Sequence, residues 1–335
     1  MRFGLFGGAQ ARRGLPAGDS ARGYHDFIEY NVEAEALGLH GSFLTEHHFT
    51  AIGQVSATLL LLTWMAARTT TLRLGSAVIV LPWHNPVLLA EQAATLDLLS
   101  GGRLDFGIGK GYRHNEFAGF RMPPEEAEPR FEEALAVLTR AFAADEPFSH
   151  HGRYWQFDDI MVEPPPAQHP HPPFWMAAGS PASIRNCARR GYNLLLDQFA
   201  SPQQIGERIA LYRAELEAGG VRYDPMRVGV ARNYWVADDA AETEAALQRQ
   251  AQAHDRLVAL SRGAAGRPAS HILAYSDAPG AREQHSLIGT PDAIARKLEE
   301  LRGQGVAYVL LNGQGASRPN LRRFARDLMP AFALD

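Results

Sequence analysis

Eight short apolar runs recur along the chain, with helical patterns between them. RFGLF (2–6), SFLTE (42–46), LRLGSAVIVL (72–81), RLDFGIG (103–109), PFWMAAG (173–179), NLLL (193–196), MRVGVARNYWVA (226–237) and VAYVLLN (306–312) read as strands. Each run is near-continuously apolar, as a strand buried on both faces of a parallel sheet must be. The segments 23–37, 55–67, 86–100, 125–143, 181–190, 202–219, 239–260, 291–304 and 319–329 read as helices from their period, caps or glycine stops. This rhythm predicts an α/β fold in one domain over 1–335: a parallel sheet closed into a (β/α)8 barrel, the TIM barrel, with insertions. An open doubly wound sheet is the alternative, and no GxGxxG follows the first strand to support it.

Two insertions break the rhythm. Residues 145–172 run into PPPAQHPHPP, with six prolines in ten residues, and read as a rigid connection within the domain. Residues 261–288 are rich in Gly, Ala, Ser and Arg and read either as a lid or as a surface excursion.

Composition narrows the function. The formal net charge is −4, so no basic excess exists to neutralise nucleic-acid phosphates or a membrane surface. The single cysteine, Cys187, cannot form a disulfide within the chain, which fits a reducing compartment. MRFGLF opens as a strand and no apolar stretch is long enough to span a bilayer, so a cytoplasmic location is expected.

In a barrel of this kind, chemistry gathers where the strands end. The second strand ends FLTEHHF (43–49). Adjacent side chains on a strand point to opposite faces, so His47 and His48 cannot both face the mouth. Three readings stay open: local hydrogen bonding, metal ligation, and acid/base work near neutral pH. Metal is the weakest, because adjacent residues ligate poorly together and neither HExxH nor a cysteine cluster is present. The fourth strand ends with Gly107, Gly109 and Gly111 around Lys110. The fifth ends with Gly179, Ser180 and Ser183 at a helix start. A cation and a helix N-terminus on neighbouring strands could share one phosphate; a plain serine cap is the other reading of the second feature. Phe6, Phe49, Trp83, Tyr112 and Phe120 stand where they could wall an apolar substrate, and His84 follows Trp83.

Several of these stretches, in this order, resemble the bacterial luciferase-like flavin-dependent monooxygenases: MRFGLF, FLTEHHF, GSAVIVLPWHNPVLLAEQAATLDLLSGGRLDFGIGKG, WMAAGSPASIRNCARRG and IGTPDAIARKLEEL. The resemblance runs over most of the chain and is strongest over 1–120. It implies reduced FMN as cofactor, O2 as co-substrate, a C4a-(hydro)peroxyflavin, a separate NAD(P)H:flavin reductase and a homodimer. It gives His47 an acid/base role and places Glu116 close to the flavin. It sets a non-prolyl cis peptide at Ala77–Val78 and assigns the flavin phosphate to Lys110, Ser180 and Ser183. Gly109 takes the place of a reactive cysteine and is expected to open space. Gly179 replaces a glutamate, Gln198 replaces a tryptophan near the flavin, and Lys110 replaces an arginine, keeping charge but losing the two-pronged fork. Three rivals accompany this reading: a deazaflavin (F420)-dependent oxidoreductase of the same fold, a non-catalytic flavin-binding subunit, and, outside the family, a metal-dependent barrel hydrolase.

Overall fold

The computed structural model describes residues 1–12, 14–51, 53–261 and 284–333. Its strands are β1 (Arg2–Gly7), β2 (Gly41–Leu44), β3 (Arg73–Ser76), β4 (Ile79–Val80), β5 (Leu104–Gly109), β6 (Phe148–His151), β7 (Gln156–Ile160), β8 (Phe174–Ala177), β9 (Asn193–Leu196), β10 (Val228–Val236), β11 (Leu287–Gly289) and β12 (Tyr308–Gly313). Its helices are α1 (Ala17–Ala36), α2 (Thr58–Arg68), α3 (Pro86–Ser100), α4 (His114–Gly119), α5 (Ala127–Ala143), α6 (Pro181–Arg189), α7 (Pro202–Ala218), α8 (Ala240–Ser261), α9 (Pro291–Gly303) and α10 (Arg318–Asp327).

Eight strands pair in parallel in the order β1, β2, β3, β5, β8, β9, β10, β12, and β12 returns to β1. The ring is closed. This is a TIM barrel, and the open sheet is excluded. Phe43, Trp175, Leu195, Tyr308 and Leu310 pack together inside it. Glycine makes room for this plug: a Cβ on Gly4 would lie 2.7 Å from the Tyr308 hydroxyl. The chain also runs close between β3 and β5, where a Cβ on Gly107 would meet the Ser76 carbonyl at 1.8 Å.

The expected run 72–81 is not one strand. It breaks after Ser76 at the cis peptide Ala77–Val78, resumes as β4 against β5, and ends in a 3₁₀ turn, Leu81–Trp83. The sequence reading missed the short helix α4 and two further features. The connection at 145–172 contains the antiparallel hairpin β6–β7. Leu287–Gly289 forms β11, which extends the sheet along the end of β10. The rest of the expected lid, residues 262–283, lies outside the described residues.

One carboxylate holds the hairpin. Glu133 on α5 accepts N–H bonds from Arg153, Tyr154 and Trp155 at 2.8–3.1 Å. Elsewhere, α2 and α3 lie side by side and expose Leu60 (74%), Trp64 (54%), Leu88 (56%) and Leu99 (66%). No helix among the described residues is long and apolar enough to cross a membrane.

Candidate active site

β2 stops at Leu44, and the chain then runs extended through Thr45–His48 at the barrel mouth. Alternation sorts the three titratable residues there. Glu46 and His48 turn one way and His47 the other. His48 Nε2 lies 2.8 Å from Glu46 Oε1, and His84 Nε2 lies 3.0 Å from the same oxygen. Val80 N–H donates to Glu46 Oε2 at 3.2 Å. Burial pushes the Glu46 carboxyl up, but the bonds and charges of His48 and His84 outweigh it and hold the group below its ordinary range. This buried carboxylate ties the end of β2 to β4 and the turn after it. His48 and His84 both bond Glu46. Among the described residues no group of three or more His, Cys, Asp or Glu has an arrangement able to hold a metal.

His47 faces Glu116, on α4. Its Nδ1 lies 3.1 Å from Glu116 Oε1, and that oxygen also accepts the His48 N–H at 3.0 Å. Glu116 is buried, and the His47 side chain is 13% exposed. Burial lowers the His47 pKa; the Glu116 bond works against this, and the Arg113 charge adds to it. The lowered pKa favours the neutral imidazole, and the tautomer whose Nδ1–H donates to the Glu116 carboxylate leaves Nε2 as an acceptor. Tyr112 stands edge-on to the ring, centroids 6.5 Å apart.

The residues expected at the phosphate follow the ends of two neighbouring strands, β5 and β8, which pair in parallel. Lys110, at the end of β5, is exposed and pairs with the equally exposed Glu128. Ser180 caps α6 with Ser183 in a reciprocal box: Ser183 N–H donates to Ser180 Oγ at 3.2 Å, and Ser180 N–H to Ser183 Oγ at 3.1 Å. The N-terminus of α6 thus follows one strand end and a cation follows its neighbour. The Lys110–Glu128 pair is solvent-exposed and weak, so an anion can displace it.

The family model described as Luciferase-like monooxygenase matches residues 1–308. The chain belongs to the luciferase-like monooxygenase family. It is 25% identical to the oxygenase component of flavin-dependent trigonelline monooxygenase from Acinetobacter baylyi, over 99% of this chain and 96% of that protein. It is 26% identical to an FMNH2-dependent dimethylsulfone monooxygenase from Pseudomonas putida, over 79% and 76% respectively. An F420-dependent glucose-6-phosphate dehydrogenase from Amycolatopsis mediterranei is 29% identical over 53% of this chain and 55% of that one. Among solved structures, monooxygenase RslO1 from Streptomyces bottropensis superposes with a TM-score of 0.85 at 27% identity, covering 99% of this chain and all of that one (100%).

Within this luciferase-like fold the other expected site residues take different places. Gly109 does not open space: a Cβ there would lie 2.5 Å from Val78 Cγ2, so the Val78 methyl already fills the position. A Cβ on Gly179 would lie 3.8 Å from Asp197 Oδ2, beside the buried Asp197–Arg208 pair. Phe6 packs against the interior plug. Trp83 stacks on Phe120 at 4.9 Å and meets Phe117 edge-on at 4.7 Å. Phe49 is 56% exposed and sits on Phe120, which makes it a rim residue. Gln198 joins a cluster of amides, its Oε1 accepting from Asn312 Nδ2 at 3.1 Å, while Asn312 also donates to Asn233 at 2.9 Å. Arg185, on α6, pairs with Glu215. Cys187 is buried, and burial pushes its thiol up to about 12.

Four residues of the mouth carried no sequence signal of their own. Asn233, Arg208 and Arg232 are long-range partners of strand-end residues. Arg113 lies three positions past Lys110, which drew the attention due to a loop cation.

Proposed function

We propose that this protein is the oxygenase component of a two-component flavin-dependent monooxygenase. It would use reduced FMN and O2 on a small organic substrate, with a separate NAD(P)H:flavin reductase. The carrying observation is the His47–Glu116 pair, which leaves a neutral imidazole with a free Nε2 at the barrel mouth. The residues present fit the cofactor. Lys110, Ser180 and Ser183 would hold its phosphate once the serine box opens. Ala77, Val78, Gly109 and Glu116 would line its ring, and Gly179 leaves the corner beside α6 free of a side chain. Reduced FMN, when bound, supplies the electrons that activate O2. The chain's part is then positional and protic. Glu116 fixes the His47 tautomer, Nε2 takes up or returns the proton that accompanies oxygen transfer, and Trp83, Phe117 and Phe120 keep water from that side.

The homodimer belongs to the same proposal. The exposed Leu60, Trp64, Leu88 and Leu99 form one apolar face on α2 and α3, of the kind that a second copy covers.

The test is anaerobic mixing with reduced FMN followed by O2 in a stopped-flow instrument. The expected trace shows a transient that outlives the reoxidation of free reduced FMN. Reoxidation at the free-flavin rate would overturn the FMN reading. It would promote the F420-dependent oxidoreductase, which the Amycolatopsis relative favours, and a titration with reduced F420 would follow.

A further inference from the structure

Three arginines among the described residues are almost wholly buried: Arg113 (2% exposed), Arg208 (7%) and Arg232 (1%). Their surroundings differ. Arg208 Nη1 meets the Asp197 carboxylate at 2.8 Å. Arg232 spends its terminal nitrogens on the carbonyls of Asp197, Ala231 and Ala200 at 2.8–3.0 Å. Arg113 has neither arrangement. Its Nη1 donates to Gln54 Oε1 at 3.2 Å, and its Nε reaches the Tyr112 hydroxyl at 3.4 Å. Both contacts are long and both partners are neutral. No carboxylate of the described residues pairs with it. Nη2 has no partner among the described residues, yet it is not among the side-chain atoms sealed from solvent.

A guanidinium carries five donors in a planar fork, and a buried cation without a counter-charge is costly. A fork held open in this way suits an anion with two oxygens in one plane. The position tells which anion. Lys110 and Arg113 leave the same loop in different directions: Lys110 toward Glu128 at the start of α5, Arg113 toward Gln54 behind β2. The corner of Lys110 and α6 is the one proposed for the cofactor's phosphate. Arg113 stands instead with Tyr112, beside the ring of His47.

We propose that Arg113 anchors the carboxylate of the substrate, so that the protein acts on an organic acid held with its far end toward His47. The anchoring stands on the Arg113 geometry, and only the oxygenation of the bound acid rests on the monooxygenase reading.

The test is binding, which needs no turnover. Acetate, butyrate and benzoate are titrated against acetamide, butyramide and benzamide by calorimetry, on the wild-type protein and on Arg113→Gln and Arg113→Lys. At least one acid is expected to bind ten-fold or more tighter than its amide. Arg113→Gln should abolish that preference and Arg113→Lys should keep part of it, both variants melting as the wild type does. If Arg113→Gln unfolds, Arg113→Lys carries the test, because a lost fork must still weaken the preference. The proposal falls if no acid is preferred, or if the preference survives in Arg113→Gln. It also falls if Arg113→Gln loses FMN in a fluorescence titration or inorganic phosphate competes for the site, since the anion would then be the cofactor's. Failure of the stopped-flow test with retention of acid binding would sink the oxygenase reading and leave the anchor standing.

Discussion

The two poles of the barrel use charge in opposite ways. At the floor, Arg73 and Asp105 form a two-pronged pair at 2.7 and 2.8 Å, with a third bond from Arg73 to the Leu104 carbonyl. Both charges of this pair are satisfied by each other. Burial works against the Arg73 charge, yet the Asp105 bonds more than compensate and hold the group above its ordinary value. At the mouth, the pairs are incomplete. His47 keeps one nitrogen free, and Arg113 lacks a carboxylate. Saturated charge marks a floor that supports the fold, and unsaturated charge marks a mouth that waits for ligands. A cavity of about 500 Å³ opens at the floor, lined by His40, Arg73, Asp105 and Tyr308 among others. Its size alone would mislead, because Arg73, Asp105 and Arg190 on its walls are already in ion pairs.

Substitutions can break this comparison. The largest effect is expected from His47→Ala, which should cost turnover about 10²–10⁴-fold while FMN titrates as in the parent. Unchanged turnover with FMN bound would remove His47 from the chemistry. Asp105→Asn should do the reverse, lowering stability by about 3 kcal/mol in denaturant melts with kcat intact. A loss of kcat in a well-folded Asp105→Asn protein would erase the contrast between the poles. Gly109→Ala should cost about 1–3 kcal/mol through overpacking against Val78, read as a lower Tm. An unshifted Tm would mean that Val78 yields.

The smallest effect sharpens the comparison through pH. His47 has a folded pKa below its unfolded value of about 6.5, so the unfolded chain takes the proton first. Stability should fall as pH drops through about 6.5 and level off below the lowered folded pKa of His47. Glu46 is also lowered, so its contribution is complete above about 4.5 and is lost as pH falls through its folded value. His47→Gln should shrink the upper limb, to which the buried His40 also contributes, and spare the lower one. Urea melts across this range that show both limbs unaltered in His47→Gln would assign the upper one to another group.

The barrel was legible because buried parallel strands advertise themselves as apolar runs. The hairpin was not. FSHH and QFDDI are half-exposed and polar, so no run marks them. The break in the third strand is silent in composition, since LRLGSAVIVL is apolar throughout, and only the family resemblance placed it. At the site, alternation alone forecast that His47 and His48 part company, and the structure shows them on different carboxylates. Glu116, the partner of His47, and His84, which shares Glu46 with His48, lie tens of residues away, beyond any local pattern. Gly109 was misread because a missing side chain leaves room only if nothing else moves in, and Val78 does.

The hairpin clamp has a consequence for how this surface can change over time. Glu133 grips the tip through main-chain N–H groups, which every residue but proline supplies. Arg153, Tyr154 and Trp155 can therefore be exchanged without loosening the grip. The position before them cannot: a Cβ on Gly152 would lie 2.0 Å from Glu133 Oε1. The fold thus carries a short stretch whose shape is fixed and whose chemistry is open to drift, a ready place for new specificity to be tried at small risk to the barrel.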